Sequence, residues 1–247
     1  MTEGVRNPNR PPKTALLLAQ RIVRDIEQNN LGPGDRLPPE RVMTETYEAG
    51  RGTLRESLRF LELEGVLSFK PGPGGGPVIE MPDAANLATT LTLLLQFDHA
   101  RYRVVSEARQ AFEPLMAQLA AERIDAKELA ELEQNLFDME TDIADIDAYL
   151  FNNRRFHEII AWASGNPLFG YLVDVMVGAM DLSGAAQGIE YPVRRRNAVL
   201  AVHRRIYEKI RDGDSAQAGE AMRQHITEYL TYAERKFPAA LDKLIKW

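Results

Sequence analysis

Hydrophobic positions recur at helical spacing along most of the chain, and one run of prolines and glycines interrupts the pattern. Before that run, the pattern predicts three helices, at about 13–29, 37–47 and 51–64. In the third helix, Leu54, Leu58 and Leu61 follow at three- and four-residue spacing, so they should share a face that packs on a core.

The interrupting run, 71–77, consists only of proline and glycine. It cannot be helical, because proline lacks an amide donor and glycine costs backbone entropy. Gly65 is a natural left-handed stop for the third helix, and short strand candidates follow at 66–69 and 78–80. The sequence therefore predicts a hairpin tip or linker here, and two domains at residues 1–80 and 81–247.

After this boundary almost every segment has helical periodicity, and no strand-like alternation appears. The predicted helices are 83–97, 101–124, 126–142, 146–164, 167–183, 191–212 and 214–236. Turn signals separate several of them, as in Asp212-Gly213-Asp214, which combines a helix stop with a new N-cap. The fold class predicted for this domain is an all-α antiparallel bundle.

Composition narrows the class of protein. The 247 residues are 45% hydrophobic and 27% charged, as in ordinary globular proteins. The chain has no cysteine, which excludes disulfides and thiolate metal sites. Because it also lacks a secretory signal and an apolar stretch of membrane-spanning length, we expect a cytoplasmic protein without membrane association.

The net charge of −6 argues weakly against binding to nucleic acid, but its distribution changes that view. Residues 1–80 carry 11 basic and 11 acidic side chains, so the acidic excess lies entirely in 81–247. Within the neutral part, five arginines are concentrated in a short region: Arg36, Arg41, Arg51, Arg55 and Arg59.

The predicted order of helix, turn, short helix, turn, helix and two-stranded wing is typical of a winged helix-turn-helix. In that fold the helix after the turn enters the major groove of DNA. Here its first turn contains Arg51, Thr53 and Arg55, and the arginine fork can grip guanine or phosphate. An isolated arginine run is more often a solvated helix face, but its setting in this motif favours binding to double-stranded DNA.

Residues 31–79 resemble the DNA-binding domain of GntR-superfamily repressors. The resemblance depends on Leu-Gly-Pro-Gly-Asp-Arg-Leu-Pro-Pro-Glu-Arg, on Arg-Gly-Thr-Leu-Arg-Glu-Ser-Leu-Arg and on the glycine-rich wing. It implies DNA contacts at Arg41, Gly50, Arg51, Thr53, Arg55 and Gly72. Gly72 matches a wing-tip glycine that reaches a minor groove, and Gly50 stands where many members have a hydroxyl residue.

Three of the four histidines fall in predicted helices of the second domain, and His99 is expected at the surface. Asn153 and His157 are four residues apart, so they share a helix face. His203 and His225 lie at similar distances on either side of Gly213, so they would meet in an antiparallel hairpin. Three imidazoles and an amide oxygen could hold zinc, nickel, copper or iron, although core packing is the ordinary role of an isolated histidine.

Residues 84–237 resemble the FCD domain of the FadR subfamily, through Arg109-Gln110-Ala111-Phe112-Glu113-Pro114, Phe156-His157 and Met222-Arg223-Gln224-His225. The resemblance implies a divalent metal, with zinc or nickel favoured, held by His157, His203 and His225. Asn153 stands where the family often has aspartate. The resemblance also implies that Arg109 faces the same cavity and pairs with a small carboxylate effector; an ion pair with Glu113, four residues on, is the alternative.

The leading interpretation is a homodimeric repressor or activator that binds a near-palindromic operator and responds to an organic acid. A metalloenzyme is the second hypothesis, because three histidines with an open position also describe catalytic zinc sites. No His-Glu-x-x-His segment or other catalytic motif accompanies them, so we predict that the chain is not an enzyme. The third hypothesis is a helical interaction module whose N-terminal part binds protein.

Overall fold

A computed structural model describes residues 13–72, 75–183 and 189–247. The chain divides between Asn86 and Leu87 into two compact units, and each is described by itself below. Two residues of the predicted hairpin tip, Pro73 and Gly74, lie outside the described residues. Among those that are described, no helix has the length and apolar character needed to cross a bilayer.

The first unit contains three helices and a two-stranded antiparallel sheet, as the winged helix-turn-helix prediction requires. Its elements are α1 (Lys13–Gln28), α2 (Glu40–Thr46), α3 (Arg51–Leu63), β1 (Leu67–Lys70) and β2 (Gly76–Ile79). In the sheet, Leu67 pairs with Ile79 and Lys70 pairs with Gly76. Gly65 ends the α3 region with a φ of +74°, the left-handed stop that the sequence predicted.

The core of the first unit lies between α1 and α3. Ile22 of α1 and Leu54 and Leu58 of α3 are almost completely buried, which confirms the predicted inner face of α3. Ser57 is also fully buried, and its hydroxyl lies 2.8 Å from the carbonyl oxygens of both Ala15 and Thr53. Its single proton is available to either acceptor, and the contact with Ala15 is a polar link between α3 and α1 within the apolar core.

The second helix begins three residues later than the sequence predicted. Leu37 donates its amide to the Pro77 carbonyl at 3.0 Å, and Arg36 forms an isolated bridge with Val78, so this segment runs extended beside β2. Residues that precede proline disfavour the helical conformation, which keeps Leu37 and Pro38 extended until the helix starts at Glu40.

The second unit is built from helices in its described part, with one isolated bridge between Arg101 and Leu244, and the division between the units falls near the start of its first helix. Its helices are α4 (Ala85–Phe97), α5 (Arg103–Arg123), α6 (Ala126–Thr141), α7 (Ile146–Ala163), α8 (Pro167–Ser183), α9 (Val193–Arg211), α10 (Ser215–Lys236) and α11 (Pro238–Leu241). All seven predicted helices are present, and their ends differ from the predictions by at most two residues. The short α11 was not predicted.

Local capping and a shared core position these helices. The Asp214 side chain accepts a hydrogen bond from the Gln217 amide at 3.2 Å and caps α10, as predicted. Asp125 and Glu128 form a reciprocal capping box at the start of α6. The largest core cluster includes Phe156 and Ile206, which are fully buried and hold α7 and α9 at the centre of the unit.

Candidate functional site

The exposed face of α3 carries the arginines predicted to read DNA. Arg51 and Arg55 are exposed and Thr53 is half-buried, whereas Leu54 between them is fully buried. The Arg55 Nε atom donates to Glu40 Oε2 at 2.9 Å, and 71% of the Arg55 side chain is still exposed. This face therefore presents cationic groups to solvent and only one of the two arginines is paired with a described residue.

The other predicted DNA contacts are exposed as well. Arg41 lies on α2 and forms a solvent-exposed ion pair with Glu45 at 3.2 Å. Gly50 is the N-cap of α3 and offers no side chain, so the first amides of α3 lack a side-chain cap. Gly72 follows β1 with a φ of +95°, and its carbonyl accepts the Gly75 amide at 2.8 Å, a tight turn that suits glycine.

In the second unit, His157 of α7, His203 of α9 and His225 of α10 converge in the interior. Each offers one ring nitrogen, and these nitrogens lie within 4.8 Å of one another. The Nε2 atoms of His203 and His225 are 3.1 Å apart, and the His203 ring stacks on Phe156 with centroids 3.9 Å apart. The three side chains that the sequence placed on separate helices thus form one cluster.

A buried carboxylate stands behind this histidine cluster. Glu113 Oε1 accepts from Arg109 Nε at 2.5 Å, and Glu113 Oε2 lies 2.5 Å from His157 Nδ1. The buried carboxylate therefore contacts the Arg109 guanidinium through one oxygen and the His157 imidazole through the other. A carboxylate behind a histidine is the arrangement that orients metal-binding imidazoles.

Burial and the neighbouring charges set the protonation of these groups. Burial, and after it the adjacent imidazole of His225, lowers the pKa of His203 well below the usual value. Burial and then His157 lower the pKa of His225 in the same direction. Burial alone would raise the pKa of Glu113, but Arg109 and His157 outweigh it and lower that pKa. His203 and His225 are therefore neutral imidazoles, the form that binds metals.

This donor set fits a divalent transition metal. Zinc binds imidazole nitrogen at about 2.0–2.1 Å, which places two ligands of one ion about 3–3.5 Å apart. The facing nitrogens of His203 and His225 are at such a distance, and all three histidines are buried. Two facing imidazoles at 3.1 Å either share a hydrogen bond or bind the same cation.

The histidine cluster opens onto a cavity of about 450 Å³. Asn153 and Arg109 line this cavity together with His157 and His225, so four predicted site residues face one space. Arg109 also forms the ion pair with Glu113 that the sequence allowed as its alternative role. His99 is exposed and outside the cluster.

Sequence reasoning missed several groups in the cavity wall. Tyr149, Arg195 and Tyr229 line it, and the Tyr229 hydroxyl lies 3.1 Å from that of Tyr102. Tyr149 precedes His157 by eight residues, and Arg195 precedes His203 by eight. Residues eight apart are rotated by about 80° around a helix, so this spacing alone did not assign Tyr149 and Arg195 to the histidine-bearing faces.

Two family models match the chain. The model described as "FCD domain" matches residues 104–228, and the one described as "Bacterial regulatory proteins, gntR family" matches residues 14–75. The first covers the helices that line the cavity, except for the end of α10, and the second covers the helix-turn-helix and the first strand of the wing.

Curated relatives match over most of their length. An uncharacterised HTH-type transcriptional regulator, YcbG of Bacillus subtilis, is 27% identical over 91% of this chain and 90% of its own. The HTH-type transcriptional repressor NanR of Edwardsiella tarda is 26% identical over 89% and 86%. Among solved structures, Streptococcus agalactiae GntR superposes with a TM-score of 0.72 at 26% identity and covers 87% of this chain and 98% of its own.

Proposed function

Since this chain belongs to the GntR family of DNA-binding transcriptional regulators and carries an FCD ligand-binding domain, we propose that a small organic acid, bound beside a divalent metal in the helical unit, controls its affinity for operator DNA. The observation that carries the proposal is the buried cluster of three histidines beside a cavity that is lined by arginine. The relatives named above are regulators and not enzymes, so the metalloenzyme hypothesis finds no support in them.

The DNA-binding part of the proposal rests on residues 1–80. Arg51, Thr53 and Arg55 would enter the major groove from the first turn of α3, and Arg41 would contact the phosphate backbone. The uncapped amides that follow Gly50 add a site where a phosphate oxygen can be bound, as helix N-termini do. Gly72 would lie at the minor groove, where a glycine allows close approach of the backbone.

The effector part rests on residues 81–247. His157, His203 and His225 would hold the metal, and the amide oxygen of Asn153 would serve as a fourth, weaker ligand. A bound zinc or nickel ion supplies a Lewis acid that attracts a carboxylate. The guanidinium of Arg109 keeps Glu113 ionised behind His157 and adds positive charge beside the same space.

We further propose that the protein acts as a homodimer on a near-palindromic operator, because two identical recognition helices match a two-fold site. The NanR relatives are described as repressors, which favours repression here as well. Effector binding would shift the equilibrium between two arrangements of the dimer, only one of which fits the operator. Such coupling typically changes affinity about 5- to 150-fold.

The test begins with DNA fragments selected from a random pool by the full chain. Fluorescence anisotropy then measures operator affinity with and without zinc and a panel of organic acids. We expect at least one acid to change affinity in the wild type, while His203→Asn retains sequence-selective binding and loses the response. A failure to select any DNA sequence, or a response that survives His203→Asn, would contradict the proposal.

A further inference from the structure

Two buried polar atoms in the cavity wall have no hydrogen-bond partner in the part of the chain that the structure describes. The Nε atom of Arg195 and the hydroxyl of Tyr149 are shielded from solvent, and no hydrogen bond or ion pair joins either to any described residue. Buried polar groups in proteins almost always have a hydrogen-bond partner, and an unsatisfied one costs about 1–3 kcal/mol. Two such atoms on one cavity therefore point to a ligand that satisfies both.

The Arg195 guanidinium is held in place without being neutralised. Its Cζ atom lies 4.6 Å from the ring centre of Tyr232, and the Tyr232 hydroxyl donates to the Glu190 carbonyl at 2.9 Å. The adjacent Arg196 differs, because its guanidinium donates to three backbone carbonyls, those of Tyr191, Ile143 and Ala144. Arg196 is thus a structural arginine, whereas Arg195 presents an available charge to the cavity.

Arg195 and Tyr149 come from the parts of α9 and α7 that lie about two helical turns before the histidines of those helices. Tyr149 precedes His157 by eight residues on α7, and Arg195 precedes His203 by eight on α9. Eight residues of helix span about 12 Å. The His157 and His203 rings meet at 5.4 Å, and Arg195 is close enough to act electrostatically on Tyr149 and also on His225.

The charge and shape of the wall fit an elongated anion. Arg109, Arg154 and Arg195 line the cavity, with Glu113 as the one carboxylate among the described lining residues. Apolar side chains, such as Val173 and Val199, lie along the same wall. A volume of 450 Å³ matches roughly 15 water molecules at ~30 Å³ each, more than a two- or three-carbon acid requires.

We propose that Arg195 and Tyr149 form a second anion site, and that the effector is an aliphatic acid with a carboxylate at each end. One carboxylate lies at the histidine end, and the other accepts hydrogen bonds from Arg195 and from the Tyr149 hydroxyl. This inference rests on the proposed function, because it identifies the class of ligand that the FCD cavity binds.

The experiment is isothermal titration of the full chain, loaded with zinc, with straight-chain dicarboxylates from succinate to suberate. The monocarboxylate of matching length is the control ligand at each step. We expect at least one dicarboxylate to bind about 10-fold or more tightly than its monocarboxylate, since a charge-assisted hydrogen bond contributes about 1.5–3 kcal/mol. If no dicarboxylate surpasses its control, the inference is overturned.

Three variants test which residues cause the preference for dicarboxylates. Arg195→Gln and Tyr149→Phe should each reduce the dicarboxylate preference about 10-fold or more, whereas Arg194→Gln, an exposed neighbour on α9, should retain it. Tyr149→Phe removes a hydroxyl that has no partner, so it should not lower the thermal unfolding midpoint of the ligand-free protein. A lowered midpoint together with unchanged affinity would assign Tyr149 a structural role and refute its part in the site.

The two proposals fail separately. Unaltered dicarboxylate binding in Arg195→Gln would reject the second anion site while leaving an effector cavity intact. Tight dicarboxylate binding that depends on Arg195, combined with unaltered operator affinity, would support the anion site and reject control of DNA binding by this ligand.

Discussion

The Nε2 atoms of His203 and His225 lie 3.1 Å apart, although 22 residues separate them in the chain. The turn at Gly213, with a φ of +71°, reverses the chain between α9 and α10 and brings them to the same height. Both imidazoles are buried and neutral, so their lone pairs are available to a cation.

Removal of metal should therefore destabilise the protein. At free zinc about 100-fold above its Kd, binding adds about 2.7 kcal/mol to the free energy of unfolding. Calorimetry should show a lower unfolding midpoint after chelation and its recovery when zinc is added back. His225→Asn should prevent recovery, and His99→Asn, at an exposed residue outside the cluster, should leave it unchanged. Equal recovery in both variants would disprove the metal site.

Arg55→Ala should weaken operator binding by about 1–3 kcal/mol, because it removes a base or phosphate contact from the first turn of α3. Anisotropy titrations at several salt concentrations would also reveal a phosphate contact, as a salt slope reduced by about 1. Arg223→Ala is the matched control, since it removes an exposed arginine that is paired with Glu220 on α10. If Arg55→Ala and Arg223→Ala lost the same amount of operator affinity, the loss would reflect a general effect of charge and not recognition by α3.

Glu40→Gln should strengthen operator binding. The Glu40 carboxylate pairs with Arg55 at 2.9 Å in the free protein, and this pair must be released before Arg55 contacts DNA. Exposed ion pairs contribute up to about 1 kcal/mol, which sets the limit of the gain. The gain should disappear in the Arg55→Ala background, and a gain of the same size there would show that Glu40 acts on DNA directly.

Glu113→Gln should lower the free energy of unfolding by about 3–5 kcal/mol, because it leaves the Arg109 guanidinium inside the bundle without its counter-charge. Urea denaturation measures the loss as a shift in midpoint. The double variant Arg109→Met with Glu113→Leu replaces the pair with apolar groups and should cost much less. If the double variant were less stable than Glu113→Gln, an uncompensated charge on Arg109 could not explain the stability lost in Glu113→Gln.

Helical periodicity was sufficient to predict most of the fold. Each long helix of the second unit buries one face on a shared core, so its spacing of apolar residues was informative, and the glycines at 165 and 213 marked the turns. The short α11 was missed because four residues carry no measurable period. The start of α2 was misplaced because Leu37 forms a hydrogen bond with Pro77, a contact forty residues away.

Less of the candidate site than of the fold could be predicted from the sequence. The three histidines could be grouped from their distances to a turn, and the structure brings them together. Tyr149 and Arg195 could not be grouped with them in this way, since they resemble ordinary core and surface residues until their missing hydrogen-bond partners are known. Hydrogen-bond satisfaction is a property of three-dimensional packing and leaves no mark on residue spacing.

The buried Ser57 hydroxyl has a consequence for sequence discrimination. Together with the apolar core between the two helices, its contact with the Ala15 carbonyl couples the tilt of α3 to α1. Changes to α1 side chains that pack against α3 should therefore shift Arg51 and Arg55, the residues proposed to read DNA. Natural variation in α1 is thus a route by which related repressors could drift in operator preference while keeping identical reading residues.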